Sequence, residues 1–232
     1  MQHVSLSHPD RPAEIWFPGP ARGGLTPVLL PCFGDEGRAV AEAIRSLGGA
    51  DCALVCVSVP DWEGDLSPWP APGLRRGGPD FPGGADRFLD ELTGGILPRA
   101  RRELDAPDAP AVLAGYSFAG LFALYALWKT DAFRRAVSAS GSLWYPGFLD
   151  FAASHPTAGT PEGVYLSLGD AESRARHPVL RTVGEATGAM FALLRRLGIP
   201  CTLESNPGNH FRDEALRTAK GVVWALGRGP RP

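Results

Sequence analysis

The chain has 232 residues, 44% of them hydrophobic, and a formal net charge of −2 at pH 7. This length and apolar content are enough for one domain with a sizeable core, so we predict a single domain over residues 1–232. Because the sequence has no basic excess, it argues against nucleic acid or an anionic membrane surface as a partner.

The N-terminus and the cysteines favour a cytoplasmic protein. Residues 1–5 lack the basic and apolar regions of a signal peptide, and no apolar run reaches the roughly 18 residues that span a bilayer. The four cysteines form no CxxC pair, and Cys52 and Cys56 lie in an apolar, strand-like segment. We therefore expect reduced, structural cysteines and neither a metal nor a cofactor.

Short apolar runs alternate with segments of helical spacing along the chain. Strands are predicted at residues 27–30, 53–59, 111–114, 136–139, 163–168 and 201–204, and helices at residues 38–47, 85–104, 118–129, 185–197 and 213–226. The strands are continuously apolar, which is typical of a parallel sheet buried on both faces. The predicted class is therefore α/β, with a mostly parallel central sheet and helices on both faces.

Two segments fall outside this alternation. Residues 61–84 are rich in Pro and Gly and carry Trp62, Trp69 and Phe81. A connection this long inside a compact domain is usually functional or disordered, and its aromatic residues argue against disorder. We therefore expect residues 61–84 to cover a substrate pocket, and we expect residues 229–232 to be a frayed tail.

Residues 114–120 read Ala-Gly-Tyr-Ser-Phe-Ala-Gly, a variant of the G-x-S-x-G nucleophile elbow in which Ala119 replaces the second glycine. At such a turn from strand to helix, side chains two residues before and after the serine would collide, so only small residues fit. An incidental glycine-rich turn would also match this short motif. The motif lies between an apolar strand and an apolar helix, which is the context that the elbow requires. We therefore predict an α/β-hydrolase fold with Ser117 as the nucleophile.

In this fold the acid lies between the serine and the histidine in the chain. His210 lies between the last predicted strand and the last predicted helix, where it can reach Ser117 across the carboxyl edge of the sheet. A histidine that only caps the following helix would occupy the same place. The other histidines either precede the elbow or lie in polar stretches beside prolines: His3, His8, His155 and His177.

Two carboxylates follow the strand predicted at residues 163–168 and could orient the histidine. Glu172 is preferred, because its spacing from Gly169 leaves one turn for the side chain to point back over the sheet. Asp170 is the alternative acid.

The expected oxyanion hole consists of two backbone N–H groups, those of Phe118 and Phe33. Phe118 begins the helix after the serine, and Phe33 follows the first predicted strand. The predicted pocket residues are aromatic, although each could equally belong to the core: Tyr116, Trp144 and Trp69, together with Trp62 and Phe81.

Three segments together resemble a family of α/β-hydrolases that includes esterase D-like enzymes and siderophore (enterobactin-type) esterases. They are Gly-Tyr-Ser-Phe-Ala-Gly-Leu-Phe-Ala-Leu-Tyr at 115–125, Ser-Gly-Ser-Leu-Trp-Tyr-Pro at 140–146, and Asn-His-Phe at 209–211. The resemblance implies hydrolysis of a small-molecule carboxylic ester, with Ser117 as nucleophile and His210 as base. The sequence departs from the family at Pro31-Cys32, where a His-Gly pair is often found.

Three functions are compatible with these features. The first is a serine esterase that forms an acyl-enzyme. The second is a siderophore trilactone esterase, or a related thioester or acyl-transfer enzyme. The third is an inactive hydrolase scaffold that serves as a binding protein.

Overall fold

The computed structural model describes residues 1–6, 11–20, 24–34, 36–49 and 51–227. His8 and the tail predicted at residues 229–232 lie outside these ranges. No helix in the described ranges is long and apolar enough to cross a membrane.

Eight strands form one sheet in the order β1-β2-β4-β3-β5-β6-β7-β8. All neighbours from β4 to β8 are parallel, and β1 and β2 add an antiparallel edge. The strands are β1 Gln2–Leu6, β2 Ala13–Phe17, β3 Thr26–Cys32, β4 Cys52–Ser58, β5 Ala111–Tyr116, β6 Phe133–Ala139, β7 Gly163–Gly169 and β8 Cys201–Asn206.

Helices cover both faces of this sheet. The α-helices are α1 Glu36–Ser46, α2 Trp62–Leu66, α3 Ala85–Glu91, α4 Leu97–Glu103, α5 Phe118–Lys129, α6 Phe148–Ser154, α7 Pro178–Arg181, α8 Val183–Arg196 and α9 Glu214–Ala225. A π-helical turn, Leu92–Ile96, joins α3 to α4. The predicted α/β class, parallel sheet and two-sided helix cover are confirmed.

The strands divide the core into two parts because their side chains alternate between faces. Leu29 belongs to the cluster around α5, whereas Val28 and Leu30 belong to the cluster under α1 and α9. Helix α5 is buried at every position except Lys129, which explains why its sequence is apolar on all sides. The base of the serine elbow is therefore held between a buried strand and a buried helix.

Residues 61–84 are ordered around a buried carboxylate rather than forming an open loop. Asp65 lies at the end of α2 and accepts hydrogen bonds from Arg11 at 2.9 Å and Arg87 at 2.7 Å. Ala71 and Phe81 form an isolated antiparallel bridge, and Phe81 is buried in the core. Most of this segment therefore packs as part of the domain.

Candidate active site

Ser117 lies at the turn between β5 and α5 with φ 57° and ψ −120°, a backbone conformation that non-glycine residues rarely adopt. Such a conformation costs on the order of 1–3 kcal/mol and persists only where neighbours hold it. Here the N–H of Ser117 donates to the carbonyl of Ala139 at 3.1 Å, and its own carbonyl accepts from the N–H of Ser142 at 3.0 Å. The end of β6 and the loop that follows it thus hold the serine at the carboxyl edge of the sheet.

The small residues of the motif have the steric role expected of them. A Cβ atom on Gly115 would lie 2.2 Å from the carbonyl carbon of Ala119 and 2.6 Å from its Cβ. A Cβ on Gly120 would lie 3.0 Å from the Cα of Gly141. The turn can close only because position 115 has no side chain, while the methyl group of Ala119 still fits.

The structure brings Ser117, His210 and Glu172 together. His210 Nε2 lies 3.1 Å from Ser117 Oγ, and His210 Nδ1 lies 2.9 Å from Glu172 Oε2. The three residues follow β5, β8 and β7, so the carboxyl ends of three parallel strands supply them. This is the geometry of a Ser-His-acid triad.

Of the two candidate acids, Glu172 contacts the histidine. Asp170 Oδ1 accepts a hydrogen bond from the N–H of Gly208 at 2.9 Å and so braces the loop that precedes His210. Glu172 lies in a short 3₁₀ turn, Glu172–Arg174, with only 5% of its surface exposed.

The environment of Glu172 keeps its carboxylate ionised. Burial alone would raise its pKa, but hydrogen bonds from His210, Ser140 and the N–H of Gly169 outweigh burial and lower the pKa below the usual glutamate value. The hydroxyl of Ser140 and the N–H of Gly169 each donate to Oε1 at 2.7 Å. Because an ionised carboxylate only accepts, we assign the proton of the neutral imidazole to Nδ1. Nε2 is then free to accept a proton from Ser117.

The two predicted oxyanion donors differ in their surroundings. The N–H of Phe118 lies at the first position of α5, where an intrahelical acceptor is not available. The N–H of Phe33 instead donates to Glu36 Oε2 at 3.0 Å. In this structure the carboxylate at the start of α1 therefore occupies the N–H of Phe33.

A cavity of about 540 Å³ opens beside Ser117 and His210. Its wall includes the aromatic rings of Phe33, Trp62, Tyr116 and Phe211, and the carboxylates of Glu36 and Glu214. No lysine or arginine is among the described residues that line it. The cavity is thus aromatic and acidic.

Of the predicted pocket residues, Tyr116 lines this cavity, whereas Trp69 and Trp144 do not. The Trp69 ring packs against Tyr145 at a centroid distance of 6.0 Å, and its Nε1 donates to the carbonyl of Pro146. Trp144 packs against Phe118 at 5.7 Å. Both indoles extend the core on the α5 side of the sheet, and α2 brings Trp62 to the cavity instead.

The other described histidines are remote from the serine. The rings of His3 and His155 stack on Trp16 and Phe151, and Nε2 of His177 lies 2.9 Å from the carbonyl of Leu74.

Sequence reasoning missed Arg217, whose Nη1 lies 3.1 Å from Glu172 Oε1. The helical spacing of buried residues in α9 could have indicated it. Arg217, Gly221 and Ala225 are four residues apart and all buried, so a charge falls on the apolar stripe of the helix.

Comparisons with known proteins agree with the fold. No family model matches the chain. The uncharacterised protein YbbA of Bacillus subtilis (strain 168) is 24% identical over 173 residues, which are 71% of this chain and 69% of YbbA.

Two of the solved structures that are similar over most of the chain illustrate the likeness. An IroE-like serine hydrolase from Shewanella oneidensis is 20% identical with a TM-score of 0.80, covering 95% of this chain and 78% of that one. Siderophore hydrolase EstA from Aspergillus nidulans is also 20% identical, with a TM-score of 0.67, covering 96% of this chain and 93% of that one. The chain therefore has the α/β-hydrolase fold that its elbow motif predicts.

Proposed function

We propose that the protein is a serine hydrolase that cleaves carboxylic esters through an acyl-enzyme. The observation that carries this proposal is the continuous hydrogen-bonded chain from Ser117 Oγ through the His210 ring to Glu172, set on a strained elbow. An inactive scaffold that only binds a partner would have no need to maintain this geometry together with the backbone strain.

In the proposed reaction, His210 Nε2 takes the proton of Ser117 as Oγ attacks the ester carbonyl. Glu172 stabilises the resulting imidazolium. His210 then gives the proton to the leaving alcohol, which leaves the acyl group on Ser117. A water molecule, deprotonated by the same imidazole, releases the acid and restores the serine.

The oxyanion of each tetrahedral intermediate is assigned to the N–H groups of Phe118 and Phe33. The first is available at the start of α5. The second becomes available when the Glu36 carboxylate moves away or is replaced by the substrate oxygen. A single donor of this kind contributes about 3 kcal/mol to lowering the barrier.

The cavity favours a neutral ester of small or medium size. Its exposed aromatic rings suit an apolar acyl or alcohol group, since Phe33 and Phe211 are 59% and 81% exposed. Glu36 and Glu214 would repel an anionic substrate such as a ferric tris-catecholate.

A siderophore trilactone esterase is the second candidate, because the fold neighbours include a siderophore hydrolase. We further propose that the ester is a small-molecule substrate met in the cytoplasm. The four free cysteines in the described ranges are compatible with that location.

Hydrolysis of p-nitrophenyl acetate and p-nitrophenyl butyrate tests the proposed function. Ser117→Ala is expected to lose at least about 10³-fold in kcat/KM. Ser142→Ala is the matched control: its hydroxyl lies 3.4 Å from that of Ser117, and we expect it to keep most of the activity. An inactive wild-type protein, or an active Ser117→Ala, would refute the proposal.

The charge of the substrate can be tested with two acyl groups of similar size. The wild type should prefer the neutral p-nitrophenyl valerate to the anionic p-nitrophenyl hemisuccinate, and Glu214→Gln should narrow the difference several-fold. Faster cleavage of the anionic ester, or of a tris-catecholate trilactone, would favour the second candidate.

A further inference from the structure

Arg217 is a fully buried cation behind the proposed triad. Only 1% of its surface is exposed, and arginine is rarely buried unless it is paired. Nη1 lies 3.1 Å from Glu172 Oε1 and 3.2 Å from both Tyr116 Oη and Ser140 Oγ. Nη2 donates to the carbonyl of Pro207 at 2.9 Å.

The space for this guanidinium is provided by Gly169 at the end of β7. A Cβ atom at that position would lie 3.0 Å from both Nη1 and Nη2 of Arg217. The same Cβ would lie 2.3 Å from the carbonyl oxygen of Gly208, so a side chain on residue 169 would push against the loop before His210 as well as crowd the guanidinium.

The guanidinium contacts three groups that hold His210. One is Glu172, whose second oxygen accepts from the ring at Nδ1. Another is Tyr116, whose hydroxyl donates to the backbone carbonyl of His210 at 2.6 Å. Because Arg217 donates to that hydroxyl oxygen, the hydroxyl proton is left pointing at His210. The last is Pro207, which begins the short loop that carries the histidine.

We propose that Arg217 is a positioning residue for the hydrolase reaction, holding His210 at Ser117 and sharing the Glu172 carboxylate with the imidazole ring. The proposal rests on the proposed function and concerns a side chain that does not touch substrate. In this arrangement the buried carboxylate has a permanent counter-ion, so it does not need a protonated histidine for charge balance.

The charges around the ring make this counter-ion important. Asp170 lies on the loop after β7, Glu214 at the start of α9, and Glu36 across the cavity at the start of α1. Tyr116, from β5, stays neutral because burial raises its pKa to about 12. Without Arg217, Glu172 would lose its guanidinium counter-ion, and among the described residues only a protonated His210 ring could take its place beside the carboxylate. A protonated imidazole cannot accept the proton of Ser117.

The test compares Arg217→Met with Arg217→Lys in the full-length protein. In Arg217→Met, kcat/KM should fall about 100-fold, as expected for a displaced catalytic group. The acidic limb of its pH profile should also move up by about one unit. Arg217→Lys keeps the positive charge but loses the two separate donor nitrogens of the guanidinium. Its kcat should therefore fall, while the acidic limb of its pH profile stays in place.

Arg212→Met is the control, because Arg212 is a largely exposed arginine of the same segment. Its profile should match that of the wild type. The proposal would be overturned if Arg217→Met folds, keeps the acidic limb of its pH profile at the wild-type pH and has a kcat/KM within threefold of the wild type. An acidic limb that moves equally in Arg217→Lys would also overturn it.

Two further measurements keep the test decisive. If Arg217→Met does not fold, Tyr116→Phe removes the hydroxyl that joins Arg217 to His210 without changing the charge. Its kcat should fall while the acidic limb of its pH profile stays in place. An unchanged kcat would contradict the proposal. NMR titration of the His210 ring measures its protonation directly and needs no ester. The wild type and Arg217→Lys should titrate at the same pH, as their acidic limbs do. The titration therefore separates a failure of this inference from a failure of the proposed function.

Discussion

The backbone N–H of Phe33 donates a hydrogen bond to the carboxylate of Glu36, 3.0 Å away. Burial raises the pKa of Glu36, the hydrogen bond from Phe33 lowers it, and the nearby charge of Glu214 raises it, with a net increase. In an esterase with this architecture the same N–H would stabilise the oxyanion. In the proposed reaction the carboxylate would therefore compete with the transition state for one donor.

Replacement of Glu36 by alanine should release that donor. We expect kcat/KM for a neutral ester to rise a few-fold, and the free energy of unfolding to fall by about 0.5–1 kcal/mol because the Phe33–Glu36 hydrogen bond is lost. Steady-state kinetics and urea denaturation measure the two effects. Glu42→Ala, on the exposed side of the same helix, should change neither. A tenfold loss of kcat/KM in Glu36→Ala would show that the carboxylate supports the site instead.

The two candidate acids can be separated by neutral, nearly isosteric substitutions. Glu172→Gln should lower kcat/KM by on the order of 10²–10⁴-fold, because the amide cannot stabilise the imidazolium and can favour the wrong ring tautomer. Asp170→Asn should cost less than about tenfold, since Asp170 braces Gly208 and does not contact His210. Equal losses in the two variants, measured with the same ester, would contradict the assignment of Glu172.

The pKa of Glu172 predicts how stability depends on pH. The folded-state pKa lies below the ordinary value of 4.5, so the unfolded chain binds the proton more readily. The stability that this carboxylate contributes is thus fully present above about pH 4.5 and is lost as pH falls through the folded-state pKa. Between pH 6 and pH 3, urea denaturation should show that the free energy of unfolding falls less steeply in Glu172→Gln than in the wild type. If the unfolding free energies of the two proteins fell in parallel with pH, Glu172 would not be the source of the pH dependence.

The elbow makes a steric prediction. Gly115→Ala places a methyl group 2.2 Å from the Ala119 carbonyl carbon, so the turn must open. We expect a loss of about 1–3 kcal/mol in unfolding free energy and a large loss of kcat/KM. Ala119→Gly removes atoms from the same contact and should retain the fold and most of the activity. A Gly115→Ala protein with wild-type stability and activity would show that the turn is not under steric constraint.

Local patterns were enough to predict the main fold and the residues that meet at the sheet edge. The apolar run after Ser117 predicted α5 with the observed ends, because a helix that is buried on all sides is apolar along its whole length. Chain order placed Glu172 and His210 after successive parallel strands, and such strands end at one edge.

Features that depend on tertiary packing were not predictable in this way. Strands β1 and β2 are short and partly exposed, so their apolar signal is weak, although Ala13, Ile15 and Phe17 alternate inward. Whether Trp69 faces a pocket or the core depends on how residues 61–84 fold. The Phe33–Glu36 hydrogen bond depends on a side-chain rotamer, which the sequence does not specify.

The central claim is that Ser117 is an activated nucleophile, and covalent labelling tests it most directly. The wild-type protein is treated with a fluorophosphonate, the modified peptide is identified by mass spectrometry, and His210→Ala is treated in parallel. We predict one phosphonyl group on Ser117, formed with loss of fluoride, and labelling that is much slower in His210→Ala. A wild-type protein that stays unlabelled at Ser117, or is labelled equally fast without His210, would contradict the account.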